Sequence, residues 1–201
     1  MEIDTDIRLN SKRCSLRYIE ESDIPYIFSA SRYEGFTDGM LWSPPESEMQ
    51  LVEPFKNNVK AWREGKGYCF TIETIEKADF LGRITIRKTD ALGVWDIGFW
   101  IHPEHQGNGY MSEAVQLIIE FGFTQLKANA IQACYALWNK ASQSVLRNNG
   151  FEFVKYLPEG FLKNGKWVEE NLVELIAKKW LENTEQVQAM DAKRPHQWCK
   201  C

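Results

Sequence analysis

Three things are scarce or missing in this 201-residue chain, and each narrows what it can be. No apolar run approaches the roughly 18 residues that a membrane-spanning helix requires. Cysteine is sparse: five residues, an odd and scattered set, with Cys14, Cys69 and Cys134 in apolar, strand-like contexts. Such a set makes no disulfide framework and fits a reducing cytoplasm. A surplus of positive charge is also absent. The 24 basic and 28 acidic residues leave a net charge of −4, which argues against wholesale nucleic-acid binding. The opening MEIDTDIRLN is acidic and polar, so no signal peptide is expected. What remains, 44% hydrophobic and 26% charged with thirteen glycines, is ordinary soluble composition, enough for one full core and short for two.

The stretch around which the rest is organised is WDIGFWIHPEHQGNGYMSEAVQLIIEFGFTQL, Trp95 to Leu126. Aromatic and β-branched residues from Trp95 to Ile101 predict a strand. Beyond Gln106-Gly107-Asn108-Gly109-Tyr110, apolar residues at Met111, Ala114, Val115, Ile118, Phe121 and Gly122 recur with helical spacing. A glycine-rich turn therefore joins a strand to a helix. The first N–H groups of a helix lack partners and point along its positive end, which makes the turn an anion-binding candidate. Three readings compete. Asn-Gly is a hairpin signal, but the periodicity that follows is helical. Gly107-x-Gly109-x-x-Ser112 lacks the third glycine of a dinucleotide fingerprint, and no acidic residue ends a second strand where one is needed. The third reading is a pyrophosphate cradle for an acyl-carrying cofactor, and the remaining chain favours it.

HPEHQGNGYMSEAV resembles the pyrophosphate-binding motif of the GNAT acetyltransferases, and Asn139-Lys140-Ala141-Ser142 with Val145 to Phe151 resembles their second motif. The Asn-x-x-Ser form, together with Arg13-Cys14-Ser15-Leu16-Arg17 and Asp23, is similar to the Rim-type branch, which acetylates α-amines of ribosomal proteins and other small acceptors. The resemblance covers about residues 8 to 180. It implies an α/β (α+β) fold, a mixed and largely antiparallel central sheet flanked by helices on both faces, with acetyl-coenzyme A as co-substrate. Met111 departs from the family's usual Gly or Ala, and Leu146 stands where many relatives carry a catalytic tyrosine.

In chain order, strands are predicted at Arg13–Ile19, Tyr68–Ile75, Phe80–Lys88 and Ala130–Trp138. Phe151–Leu157 and Trp167–Trp180 would form a last pair around a Gly160–Gly165 turn. Ser22 is a plausible N-cap for a helix reaching about Arg32, a second helix spans Glu46–Glu64, and a third Asn139–Asn149. The loop Tyr33–Pro45 reads either as an acceptor-side wall or as a surface loop whose aromatics pin it to the core. Residues 1–181 are expected to form a single domain, and 182–201 a polar, flexible tail. His196, Cys199 and Cys201 in that tail are too few and too close to build a metal cage alone, so no metal is expected.

The resemblance assigns the pyrophosphate to Gln106, Gly107, Asn108, Gly109, Tyr110 and Met111, and the pantetheine arm to the backbone of Trp100, Ile101 and His102, with Asn139 holding the arm or capping its helix. A backbone N–H near Ile101 is the natural oxyanion donor. Asp96, on one strand face with Gly98 and Trp100, is the candidate base, since desolvation would raise its pKa; the competing reading leaves it at a solvated strand edge. Ser142 is the candidate proton relay to the thiolate, or simply a helix-surface serine, and Tyr135 is in reserve. His102 and His105 flank the cofactor loop and read as loop histidines, and Trp42, Trp95, Trp100, Trp138 and Trp167 as core rather than base-stacking residues. The expected activity is N-acetylation of a primary amine by direct attack in a ternary complex, with a protein N-terminal amine favoured as acceptor. Alternatives are a small-molecule amine (polyamine, amino acid, antibiotic), a non-catalytic acyl-coenzyme A sensor that Leu146 keeps open, and a nucleotide-dependent oxidoreductase. The expected setting is cytoplasmic, with a homodimer left open.

Overall fold

The computed structural model describes residues 3–192, with side chains as far as residue 185. Eight strands form one sheet: β1 (Arg8–Asn10), β2 (Cys14–Tyr18), β3 (Gly67–Thr74), β4 (Phe80–Lys88), β5 (Val94–Ile101), β6 (Ala130–Ala136), β7 (Glu152–Lys163) and β8 (Lys166–Ile176). Their spatial order is β1-β2-β3-β4-β5-β6-β8-β7. Every neighbouring pair is antiparallel except β5 and β6. A parallel pair needs a crossover, and α3 (Tyr110–Thr124) supplies it.

The expected mixed, mostly antiparallel sheet is what the structure has. The helical spacing in α3 turns Ala114, Val115, Ile118 and Phe121 onto Phe70, Ile84, Ile86 and Ile131, the centre of the main core. Gly122 sets how closely the helix sits. A Cβ there would come within 2.8 Å of Ile131 and 3.0 Å of Ile86, so a larger residue would lift α3 off the sheet. Phe99 and Ile101 pack against this core. Side chains alternate along a strand, so Trp100 faces the other way. There it joins a second cluster of Ile24, Ile27, Leu51 and Phe80, built from α1 (Ile24–Ala30) and α2 (Met49–Arg63).

Several expectations change. A short edge strand, β1, precedes the predicted first one. The chain enters α1 through a 3-10 turn at Glu21–Asp23, closed by a reciprocal box between Glu20 and Asp23 rather than by Ser22, and the helix ends at Ala30. The last hairpin turns at Asn164–Gly165, both with positive φ, as a two-residue loop demands; β7 runs straight through Gly160. The strand predicted to reach Trp180 stops at Ile176, where α5 (Ala177–Ala192) begins. Trp180 packs on Phe123 of α3, ring centroids 5.2 Å apart, so the helix runs across the expected boundary at Leu181. His196, Cys199 and Cys201 lie outside the described residues. Among the described residues no helix is long and apolar enough to cross a membrane, no His/Cys/Asp/Glu group could hold a metal, and Cys14, Cys69 and Cys134 are free thiols.

Candidate active site

The site is made by a seam that comes apart. β5 and β6 pair only at Val94↔Ala130, Trp95↔Ile131 and Asp96↔Gln132. Beyond Asp96 the strands part, β5 running on to Ile101 and β6 to Ala136. The gap opens a cleft of about 1700 Å³. Backbone direction along β5 follows from its neighbours. His102 N–H donates to Leu81 O of β4 at 2.7 Å, while Gly93 O accepts from Asn129 N–H on the β6 side. Backbone groups alternate sides along a strand, so Phe99 and Ile101 present their N–H and C=O to the gap.

The three backbones expected to face the cofactor divide. Ile101 faces the opening as expected. Trp100, in step with His102, turns its backbone to β4, and its ring lines the cleft against Phe36 and Phe80. Both backbone groups of His102 are occupied, the N–H by Leu81 and the carbonyl by His105 N–H at 2.8 Å. Its ring is buried: Nδ1 accepts from Glu104 N–H and Nε2 lies 3.3 Å from Ser29 Oγ. Burial holds that imidazole below its ordinary pKa, against the pull of Glu104. Phe99, not foreseen, presents its backbone to the gap beside Ile101.

At the far end of β5 lies the glycine loop. Gly107 and Gly109 have φ of 77° and 80°, which a side chain would strain. Asn108 braces the loop by donating to His105 O and Gln106 O, and its own carbonyl accepts from Arg13 Nη1 at 3.0 Å. The first backbone bonds of α3 are Ser112 and Glu113 N–H to Gly109 O. Among the described residues no hydrogen bond uses the N–H groups of Gly107 to Met111, which leaves a cluster of donors at the positive end of a fifteen-residue helix. Gln106, Gly107, Gly109, Tyr110 and Met111 all line the cleft. The Met111 side chain packs into the core, leaving Gly107 in open space.

Across the gap stands α4 (Lys140–Asn148). Asn139 is its N-cap, the side chain accepting from Ser142 N–H at 3.0 Å, a bond that fixes Ser142 in the first turn; both residues line the cleft. Tyr135 is also in the lining, but its hydroxyl accepts from Asn171 at 3.3 Å and its ring belongs to the core. Leu146 is 1% exposed, inside the core rather than in the lining.

On the α1 face of the sheet the floor carries charge. Asp96 accepts from Arg87 Nε at 2.8 Å, with Nη2 at 2.7 Å from the same oxygen. Burial pushes its carboxyl up, and Arg87 pulls it back in part. Glu170 is the residue that sequence reasoning missed. Paired with Ala136 across β6 and β8, it has no salt bridge among the described residues. Burial first, and then the charge of Asp96, push its carboxyl above the usual range. Gly160 makes room for it: a Cβ there would fall 2.6 Å from Glu170 Cγ and Oε2. Cys134, on the same floor, has its thiol pushed up to about 12 by burial and by the charges of Glu170 and Asp96, which keeps it protonated at neutral pH.

The Tyr33–Pro45 loop closes the side. It is both wall and pinned loop: residues from Tyr33 to Pro45 line the cleft, Phe36 stands edge-on to Trp100 at 5.4 Å, and Lys163 Nζ donates to Met40 O and Trp42 O. The tryptophans divide. Trp95 is core, while Trp138 and Trp167 are more than half exposed.

Comparison with known proteins agrees with this geometry. Residues 13–152 match the model of an acetyltransferase (GNAT) domain. The chain is 25% identical over 169 residues to the uncharacterized N-acetyltransferase YoaA of Bacillus subtilis, covering 84% of this chain and 96% of YoaA. It is 22% identical to the spermidine N(1)-acetyltransferase of Vibrio cholerae, over 87% of this chain and 99% of that one. Among solved structures, RimL, a ribosomal L7/L12 α-N-protein acetyltransferase in complex with coenzyme A, shares the fold with a TM-score of 0.78 at 18% identity, over 86% of this chain and 99% of RimL.

Proposed function

The chain belongs to the GNAT acetyltransferase family, an acyltransferase that uses acetyl-coenzyme A, and from that premise we propose that its acceptor is the α-amine at a peptide N-terminus. One observation carries the choice: the acceptor face of the cleft holds two arginines, Arg83 and Arg87, beside its carboxylates Asp96 and Glu170. Arg87 is neutralised by Asp96, so a polyamine, cationic along its whole length, meets repulsion from Arg83, whose donors are unmet. A single amine followed by a polar, uncharged backbone does not. The likeness to RimL points the same way, and the likeness to a spermidine acetyltransferase names the competing acceptor.

The residues fit the co-substrate. The free N–H cluster from Gly107 to Met111 suits a pyrophosphate, and the unpaired backbone of Phe99 and Ile101 suits a chain of amides laid along a strand edge. Acetyl-coenzyme A supplies the acyl group as an activated thioester. Within that frame Glu170 would take the proton from the ammonium, because its raised carboxyl is not held by a cation, whereas Asp96 is committed to Arg87. Asp96 then acts on Glu170 through its charge. The Ile101 N–H, aimed into the gap, is the oxyanion donor. Ser142, fixed by Asn139, is placed to pass a proton to the departing sulfur. A free α-amine, with pKa about 7.7–8.0, asks less of the base than a lysine at about 10.4.

Two measurements test this reading. Acetyl-coenzyme A at 100 times its dissociation constant should stabilise the protein by about 2.7 kcal/mol in a thermal scan, with NADH giving no shift. Thiol release should then be faster with short peptides than with spermidine; acetylation of spermidine alone would overturn the peptide reading. A non-catalytic sensor would bind the thioester and release no thiol with any amine.

A further inference from the structure

The same face of the sheet holds a buried cation that the reaction does not use. Arg83 on β4 lines the cleft beside Trp100, its cross-strand neighbour, and its side chain is only 9% exposed. Its Nε and Nη2 are sealed from solvent, with no hydrogen-bond partner among the described residues. The nearest anion is Asp23, with Oδ2 3.6 Å from Nη2, too far for a hydrogen bond. Asp23 has nothing left to give. Oδ1 accepts from Arg17 Nη2 at 2.6 Å, and Oδ2 accepts from Thr71 Oγ1 at 2.6 Å, Glu20 N–H at 3.0 Å and Arg17 Nη1 at 3.3 Å. Glu73, the other buried carboxylate nearby, is shared between Arg17 and Arg8. A guanidinium offers five donors in a planar fork matched to carboxylate oxygens, and a buried charged group without hydrogen bonds is strongly disfavoured. Arg83 is thus a preformed anion receptor set in the acceptor wall.

The geometry points to Arg83 as a specificity-determining residue that binds a carboxylate on the acceptor, borne by the second or third residue of the acetylated peptide. This rests on the peptide reading above and refines it. The spacing sets the position. Arg83 stands on β4 opposite Trp100, and Glu170, which marks the end where the amine is received, stands on β8 opposite Ala136, so three strand spacings of about 4.8 Å separate the two positions. A guanidinium reaches several ångströms toward that end, leaving a span that two or three extended residues cover at about 3.3–3.6 Å each.

The test uses the full chain with acetyl-coenzyme A, peptides carrying glutamate, glutamine or lysine at the second or at the third position, and spermidine. The expected result is a kcat/KM for the glutamate peptide about 10–100-fold above the glutamine peptide, the range of a charge-assisted hydrogen bond, expressed mainly in KM. Arg83→Met should abolish that preference, bringing the glutamate peptide to the level of the glutamine peptide, whereas Arg83→Lys should keep part of it. Equal use of the glutamate and glutamine peptides by the unaltered protein would overturn the assignment, and that comparison needs no variant to fold. A preference that survives Arg83→Met would overturn it equally. Spermidine turnover with no peptide turnover is a different pattern, and it would sink the peptide reading itself.

Discussion

Two carboxylate clusters lie on the same face of one sheet and have opposite fates. At Asp23 and Glu73, burial alone would raise both carboxyls, yet both are held below the usual range, Asp23 by bonds from Arg17, Glu20 N–H and Thr71, and Glu73 by Arg8 and Arg17. At Asp96 and Glu170 burial prevails, and both carboxyls are raised. The difference lies in the supply of donors. The first cluster sits where β2, β3 and the turn into α1 crowd donors around each acid: guanidinium, hydroxyl and backbone N–H at Asp23, two guanidiniums and the Ser15 hydroxyl at Glu73. The second sits where two strands part and, among the described residues, Arg87 makes the one salt bridge to it. A saturated acid is structural and stays ionised. An acid short of donors shares its proton readily, which is the property a base near neutral pH requires.

The sharpest way to break this comparison is to remove the base. Glu170→Gln should lower kcat/KM by about 10²–10⁴-fold while leaving acetyl-coenzyme A affinity near that of the parent and the melting temperature at or above it. A comparable loss from Asp96→Asn, with Glu170→Gln nearly inert, would reverse the roles. On the structural side Asp23→Asn should cost about 3–5 kcal/mol, as expected when one partner leaves a buried pair, read as a drop of roughly 10 °C or more in the melting point.

The pH dependence of the two clusters should run in opposite directions. Asp23 and Glu73 are depressed in the folded state. Their contribution to stability is complete above the ordinary carboxylate range and is lost as pH falls through their folded values. Asp96 and Glu170 are raised. Their ionisation opposes folding at neutral pH, and that penalty is relieved as pH falls through their folded values. Denaturant midpoints measured against pH should therefore show acid destabilisation that is blunted in Asp23→Asn and steepened in Glu170→Gln. The rate profile should rise through a pKa above the ordinary glutamate value of about 4.3, and that limb should vanish in Glu170→Gln. The smallest effect is expected at Asn139→Ala. Loss of the cap should cost about 1 kcal/mol and slow turnover modestly by loosening Ser142, measurable as a change in kcat with little change in KM.

What was legible in the sequence is what local periodicity and glycine chemistry encode. β5, the glycine loop and α3 follow from strand composition, two glycines and a spacing of three and four. α4, with Asn139 and Ser142, follows from its cap and closing glycine. Other features depended on distant chain. Glu170 follows Glu169 inside the strand predicted at Trp167–Trp180, and nothing nearby tells the two apart; its burial depends on Gly160, ten residues away on another strand, and on the parting of β5 from β6. The backbone of His102 is turned away from the cleft by its register with Leu81, which no window around His102 contains. Arg83 stands in an apolar strand, and its want of a partner arises because Arg17 takes up Asp23. α5 was missed for a simpler reason: its polar residues hide a first turn that docks through Trp180 on Phe123.

The three-residue seam between β5 and β6 has a mechanical consequence. It divides the sheet into a five-stranded antiparallel half and a three-stranded half, joined within the sheet by Val94, Trp95 and Asp96, and outside it by the α3 crossover and by the bonds of Lys163 to the Tyr33–Pro45 loop. A ligand arm bonded to Phe99 and Ile101 acts as a stitch across that joint, completing a ladder the chain leaves open. Amide exchange in β6 and β8 should then slow when the cleft is filled, while β2 and β3, already locked on both edges, change little. The co-substrate of such an enzyme is also a removable strut of its frame.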